Sequence, residues 1–419
     1  MRCSSPVFAF LLLASFINAE AADHYQLARV VLRGSKRYSG TDLLRATGLK
    51  IDSQVTAADL QDAAQRLNST GVFSTVQYLF KPVAGALTGV EADFDLTDAP
   101  KFLPAKFDNF LWFPLEDMQV ALHNALPLYI GELPLSGSLP DEVAAALTSM
   151  LAARKLPSEV SYLLEGETGK PLRAYLFKVE HAGLKVAAFN FAGVARMDPA
   201  LVAQAVAPLK GSDFLYSIVE GWVKSKVATL YRQNGYLQAS VEVKPSLGEN
   251  SVVSVDLEIQ EGTQYRVAGF SWTGNTVLPS EELSKHLGLK EGQPANSVKL
   301  ENDLASATRL FWKFGREDTR IQPVAAFTGD TVRYTLQVSE GELYRMGKLE
   351  IVAPDLYKPK VTELWKLQEG AAYDNTYFLH ILDQLKKLVP SGARWEWKAR
   401  EQVDQVNKVV NVQLEVATK

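Results

Sequence analysis

Apolar and polar residues alternate along Gln26–Leu32, a β-branched-rich stretch, and this alternation predicts a strand that Gly34 ends. The period then lengthens. Ser39-Gly40-Thr41-Asp42 reads as a helix start, with Leu43, Leu44 and Thr47 on one face and Gly48 as the stop. A second helix opens at Thr56 with Asp59 at capping-box spacing, Asp standing in for the usual Glu. Its apolar stripe is Leu60, Ala63, Ala64 and Leu67, and Gly71 closes it. Strands over Val72–Lys81 and Val90–Leu96 complete the order β-α-α-β-β.

The same order returns down the chain. Ala188–Gly193 gives a strand and turn, Asp198-Pro199 starts a helix that ends near Lys210-Gly211, and a longer helix runs from Ser217 to Gln233. Asn234-Gly235-Tyr236 stops it, and strands follow over Leu237–Lys244 and Ser251–Glu261, with Pro245 ending the first of them. Val267–Asn275 repeats the opening, a helix starts at Ser280, and another runs from Val298 to Phe314 before Gly315. Two more divergent copies fill the register. One has a short strand, an unclear helical stretch, a helix over Asp141–Arg154 and strands over Val160–Glu165 and Leu172–Val179. The other has a strand over Met346–Val352, helices near Lys360–Leu367 and Thr376–Leu388, and strands over Arg394–Ala399 and Val409–Val416.

The expected fold class is α+β: a tandem array of small modules, each a three-stranded mixed sheet with two helices on one face. The modules are expected at residues 24–98, 101–181, 184–262, 263–341 and 342–417. One large doubly wound domain would alternate single strands with single helices, and this chain does not.

Composition narrows the function. A formal net charge of −4 over 419 residues, without a basic block, leaves no footprint for nucleic acid. Met1-Arg2, the apolar run Pro6–Ile17 and Ala19-Glu20-Ala21 have the form of a secretory signal over residues 1–21. The one cysteine, Cys3, lies within it, so no disulfide or cysteine metal site is expected after cleavage. His24, His123, His181, His286 and His380 are scattered, and none pairs with another at metal-ligand spacing. Nucleophile-elbow, phosphate-loop and zinc-protease motifs are lacking. No catalytic, cofactor-binding or metal-binding residue is assigned.

Three phrases recur in order, and with them the first, third and fourth modules resemble the POTRA (polypeptide-transport-associated) family. A strand runs into glycine in Val31-Leu32-Arg33-Gly34-Ser35 and Trp272-Thr273-Gly274-Asn275-Thr276. Gly48-Leu49-Lys50 and Gly288-Leu289-Lys290 precede the second helix, with Pro208-Leu209-Lys210-Gly211 as a variant. Glycine and an aromatic follow that helix in Gly71-Val72-Phe73 and Asn234-Gly235-Tyr236. Glu261-Gly262 and Glu340-Gly341 close two modules. The resemblance implies the periplasmic arm of an outer-membrane assembly or translocation protein. The chain reaches Lys419 as the fifth module closes, so the expected form is an arm without its barrel, tied to the outer membrane only through a partner.

The resemblance also implies that the second strand of each module is an open edge for extended protein segments, whether from a barrel protein or from unfolded clients. The edges expected are Val76–Lys81, Val160–Glu165, Leu237–Lys244, Arg320–Val324 and Arg394–Ala399. Leu237, Ala239, Val241 and Val243 form the least charged of these, and Arg394, Trp395 and Trp397 alternate charge with tryptophan. Phe107–Phe113 is expected either as a core strand or as an adhesive surface. A spacer without client binding is the alternative function, and a periplasmic enzyme using two distant carboxylates is the remoter one.

Overall fold

The computed structural model describes residues 24–83, 89–157, 159–388 and 395–418. The segment 1–21, expected as a secretory signal, therefore lies outside the described residues. Two compact units divide the chain, one through Leu184 and one from Lys185.

The first unit holds two modules. One comprises β1 (Tyr25–Arg33), α1 (Gly40–Thr47), β2 (Gln54–Val55), α2 (Ala57–Ser69), β3 (Phe73–Pro82) and β4 (Gly89–Asp98). The other comprises β5 (Phe102–Phe107), α3 (Leu115–Ala125), β6 (Glu132–Pro134), α4 (Leu139–Ala153), β7 (Val160–Glu165) and β8 (Ala174–Val179). The second unit holds three. They are β9 (Lys185–Ala192), α5 (Pro199–Val206), α6 (Tyr216–Gln233), β10 (Ser240–Leu247) and β11 (Val252–Gln260); β12 (Arg266–Thr273), α7 (Ser280–Lys285), α8 (Ser297–Leu310), β13 (Arg320–Thr328) and β14 (Thr331–Ser339); and β15 (Arg345–Val352), α9 (Lys358–Leu364), α10 (Tyr377–Lys386), β16 (Trp395–Asp404) and β17 (Val409–Thr418).

Every module has one topology. Its last strand lies in the middle, parallel to the first and antiparallel to the second. The parallel pair requires a crossover, and the two helices supply it. Two sheets gain a fourth, short strand: β2 pairs with β1 and β6 with β5. In the other three modules the same loop, just before the second helix, makes only a single bridge, Lys185–Asp213, Arg266–Pro294 or Arg345–Ala372.

Local signals explain the helices. Thr56 Oγ1 accepts the Asp59 N–H while Asp59 accepts the Thr56 N–H at 2.7 Å, so the capping box forms as the spacing predicts. Leu60, Ala63, Ala64 and Leu67 are buried against Val90, Ala92, Phe94 and Leu96 of the central strand, all within one apolar cluster. That cluster continues into the second module through Met118, Leu122, Val143, Leu147 and Phe177. The fifth module has its own cluster, around Tyr344, Val361, Leu385 and Val412.

Junctions follow two designs. In the first unit Gly71 has φ +77°, and a Cβ there would lie 1.7 Å from the Ser136 carbonyl oxygen. Arg37 stacks over the Phe102 ring at 3.9 Å and pairs with Glu132. In the second unit a buried tyrosine hooks each helix-ending glycine: Tyr265 N–H donates to the Gly235 carbonyl and Tyr344 N–H to that of Gly315, both at 2.8 Å. At the second of these hooks Glu317 sits half-buried beside Glu401 and Asp318. Burial first, then those carboxylates, push its carboxyl up.

The Glu-Gly phrases also acquire a cause. Glu261 accepts the N–H groups of Arg196 and Met197 (2.8 and 3.0 Å) and the Tyr231 hydroxyl (3.0 Å). Burial raises its carboxyl, but these donors outweigh burial and hold it below the usual range. Glu340 repeats the arrangement on Thr276 and Val277. Each carboxylate thus ties the module's end to the loop after its first strand.

Candidate partner-binding edges

Each sheet ends on its second long strand: among the described residues β3, β7, β10, β13 and β16 pair with one neighbour only. Such an edge carries backbone N–H and C=O groups that the sheet itself does not use.

β10 starts later than alternation suggests. Tyr236 is buried edge-to-face against Tyr231 (ring centroids 5.6 Å), and this anchor folds residues 236–239 into a turn. Leu237 and Ala239 therefore precede the strand, and Leu237 packs against the apolar cluster of the fourth module. Val241 is half-buried and Val243 is buried. The strand also continues past Pro245, which pairs with Val255, as far as Leu247. Proline has no N–H, so it is tolerated where the backbone faces away from β11; the Gly248 N–H, pointing inward to the Val252 carbonyl at 2.8 Å, fits that phase. Pro245 thus removes a donor from the open edge itself. Pro323 holds the corresponding kind of position in β13, opposite Leu336.

β16 begins at Trp395, opposite Thr418, and Arg394 lies outside the described residues. Trp397 is 8% exposed and belongs to the core. On the other face Arg400 pairs with Glu415 at 2.9 Å. The charged face is outward, as the alternation predicts, and the strand runs on to Asp404.

Two edges in the first unit are different, and alternation alone does not reveal them. On β3, Tyr78, Leu79 and Phe80 are 37, 56 and 38% exposed in succession. Leu79 rises from an ion ladder in which Glu91 meets both Lys81 (3.1 Å) and Arg29 (3.6 Å). On β7, Leu163 and Leu164 are exposed side by side. Neither strand has an interior proline, since Pro82 is the last residue of β3. The available signal was the unbroken triad Tyr78-Leu79-Phe80 in a strand whose neighbours alternate.

The aromatic run Phe107–Phe113 is neither a whole strand nor an exposed patch. Phe107 ends β5 and stacks on Phe177, while Phe110 is buried edge-to-face against Phe107. Asn109 then bonds both backbone groups of Val179 (2.8 and 2.9 Å), extending the sheet by a side chain.

Comparison with known proteins bears on the fourth module first. A family model described as a surface antigen variable number repeat, POTRA, matches residues 265–341. The fourth module matches POTRA. The chain is 29% identical over 98 residues to a putative outer membrane protein assembly factor of Treponema pallidum, covering 22% of this chain and 12% of that protein. It is 22% identical over 176 residues to the outer membrane protein assembly factor BamA of Neisseria meningitidis, covering 39% of this chain and 22% of that one. The chain thus spans less than a quarter of the length of either relative. Among solved structures, Haemophilus influenzae BamA POTRA3-5 aligns at 20% identity with a TM-score of 0.39, over 56% of this chain and 96% of that one. Among the described residues no helix is long and apolar enough to cross a membrane.

Proposed function

We propose that this chain is an exported, non-catalytic protein-binding arm in outer-membrane protein assembly or transport. It works in the periplasm, reaches the outer membrane through a partner, and holds extended segments of a barrel protein or of unfolded clients at its open strand edges. The observation that carries this reading is β3: an edge strand without interior proline that presents Tyr78, Leu79 and Phe80 to solvent. An added strand takes its affinity from backbone hydrogen bonds, which tolerate many sequences, and its bias from the flanking side chains. An exposed apolar edge is an aggregation hazard in a protein that does not use it, so its presence on β3 supports a binding role.

The tyrosine hooks at Gly235 and Gly315 favour a second reading, a spacer that sets the distance between partners. One experiment separates the two. With a photoreactive residue at Leu79 in intact cells, the binding arm yields adducts with outer-membrane proteins. A chain that captures no protein at Leu79, while still accumulating folded, is a spacer.

A further inference from the structure

The third and fourth modules keep the same register along their first strands. Phe191 lies opposite Leu257 as Trp272 lies opposite Leu336, and a glycine of positive φ, Gly193 or Gly274, follows at the same distance. In the fourth module the seam between strand and first helix is plugged from within. The Trp272 indole Nε1 donates to Ser284 Oγ at 2.9 Å, and the ring packs on both apolar clusters of that module. In the third module Phe191 and Ala203 stand in those places, and a cavity of 310 Å³ remains between β9 and α5. Phe189, Val206 and Ala207 make its wall apolar. Lys210 is the charged residue lining it, exposed and without an ion pair among the described residues.

β9 is also an edge, on the opposite side of its sheet from β10. Beyond the bridge from Lys185 to Asp213, its outer backbone has no strand partner among the described residues. The cavity lies at the low end of the about 300–1,000 Å³ of ligand pockets, room for a ring and not for a large molecule.

We infer that the seam between β9 and α5 is a further docking site, taking an extended segment of another polypeptide that runs along β9, inserts one aromatic side chain into the cavity and sets a carboxylate against Lys210. The fourth module shows what fills this space, an aromatic ring. The free edge dictates an extended partner, and the unpaired cation in an apolar wall dictates an acidic neighbour to the ring. The site is separate from β3.

The test is fluorescence anisotropy on the full chain with labelled eight-residue peptides of alternating threonine and valine. One carries a central tryptophan followed by glutamate; controls replace the tryptophan with alanine or the glutamate with lysine. The tryptophan–glutamate peptide is expected to bind at least ten-fold more tightly than either control. Phe191→Trp with Ala203→Ser, which transplants the plug of the fourth module, is expected to abolish that preference. The exposed Lys210→Glu change, which does not touch the core, is expected to reverse the choice between glutamate and lysine. Leu79→Arg is expected to leave the peptide affinities unchanged, so failure at β3 and failure here are distinguishable. Equal or undetectable binding of all three peptides, or a preference that survives Lys210→Glu, overturns the proposal.

Discussion

The first unit and the second are built from one module but stabilise and expose it differently. In the first, one apolar cluster runs through both modules, and the edges β3 and β7 are apolar and free of interior proline. In the second, the fourth and fifth modules have clusters of their own, and β10 and β13 carry a proline inside an open edge. The difference teaches that repeating a topology does not repeat the chemistry of its edges. The two proline-bearing edges still differ, since Val243 of β10 is buried while Val324 and Phe327 of β13 are exposed. Where donors and exposed apolar residues coincide, as on β3, an edge has both features that an added strand would use.

The most severe test of this contrast is in the cores. Leu60 is fully buried in the cluster that spans the first two modules. Leu60→Ala is expected to cost about 2–5 kcal/mol, and hydrogen exchange should accelerate in β3 and β7 together. Val361→Ala, in the cluster of the fifth module, should accelerate exchange at β16 and β17 and leave β10 protected. Confinement of the Leu60→Ala effect to the first module would break the comparison.

The closures come next. Removing the carboxylate with Glu261→Ala strands two backbone donors and a tyrosine hydroxyl, an expected loss of about 3 kcal/mol. Because the Glu261 carboxyl is held low, its contribution is present above the unfolded carboxylate range and is lost as pH falls through the folded value. Glu317 has the opposite sign: its carboxyl is raised by burial and by Glu401 and Asp318, so its favourable contribution is present at low pH and is lost as pH rises through the folded value. Denaturant melts of the full chain should therefore show Glu261→Gln flattening the acid limb. Glu317→Gln should stabilise the fourth module at pH 8 by about 1 kcal/mol and leave it unaltered at acid pH.

Much of this was legible in the chain because it is local. The capping box at Thr56 and Asp59, the helix stop at Gly48 and the order of strands and helices along the chain all follow from neighbours within a few positions. What stayed hidden depends on distant contacts. The phrase Glu340-Gly341 is visible, but a carboxylate reaching back to Thr276 is not. Leu237 reads as part of a strand until the fourth module packs on it. Alternation reports which face of a strand is buried and says nothing of how far apolar residues on an expected edge stand in solvent, so Leu237–Lys244 reads as the least charged edge and the exposed Tyr78, Leu79 and Phe80 on the expected edge Val76–Lys81 stay hidden.

The finest test exchanges the edges themselves. Pro82 closes β3 at an outward-facing position, and the next residue, Val83, donates inward to Gly89 at 2.8 Å, so Val76, Tyr78 and Phe80 direct their N–H groups outward. By the same phase Val241, Val243 and Leu247 do so on β10, with Pro245 as the gap. Tyr78→Pro should therefore give β3 the gap of β10 while sparing its ladder to β4, and Pro245→Val should give β10 an unbroken row. One hydrogen bond is worth about 1 kcal/mol net, or about five-fold in affinity. Crosslinking yield from Leu79 should fall by that factor in the first variant, and yield from a probe at Val241 should rise toward it in the second. A rise at Val241 that matches Leu79 in full would show that proline alone separates the two edges. A rise that stops short would assign the remainder to the exposed Tyr78, Leu79 and Phe80 side chains, which β10 lacks because Val241 and Val243 turn toward its core.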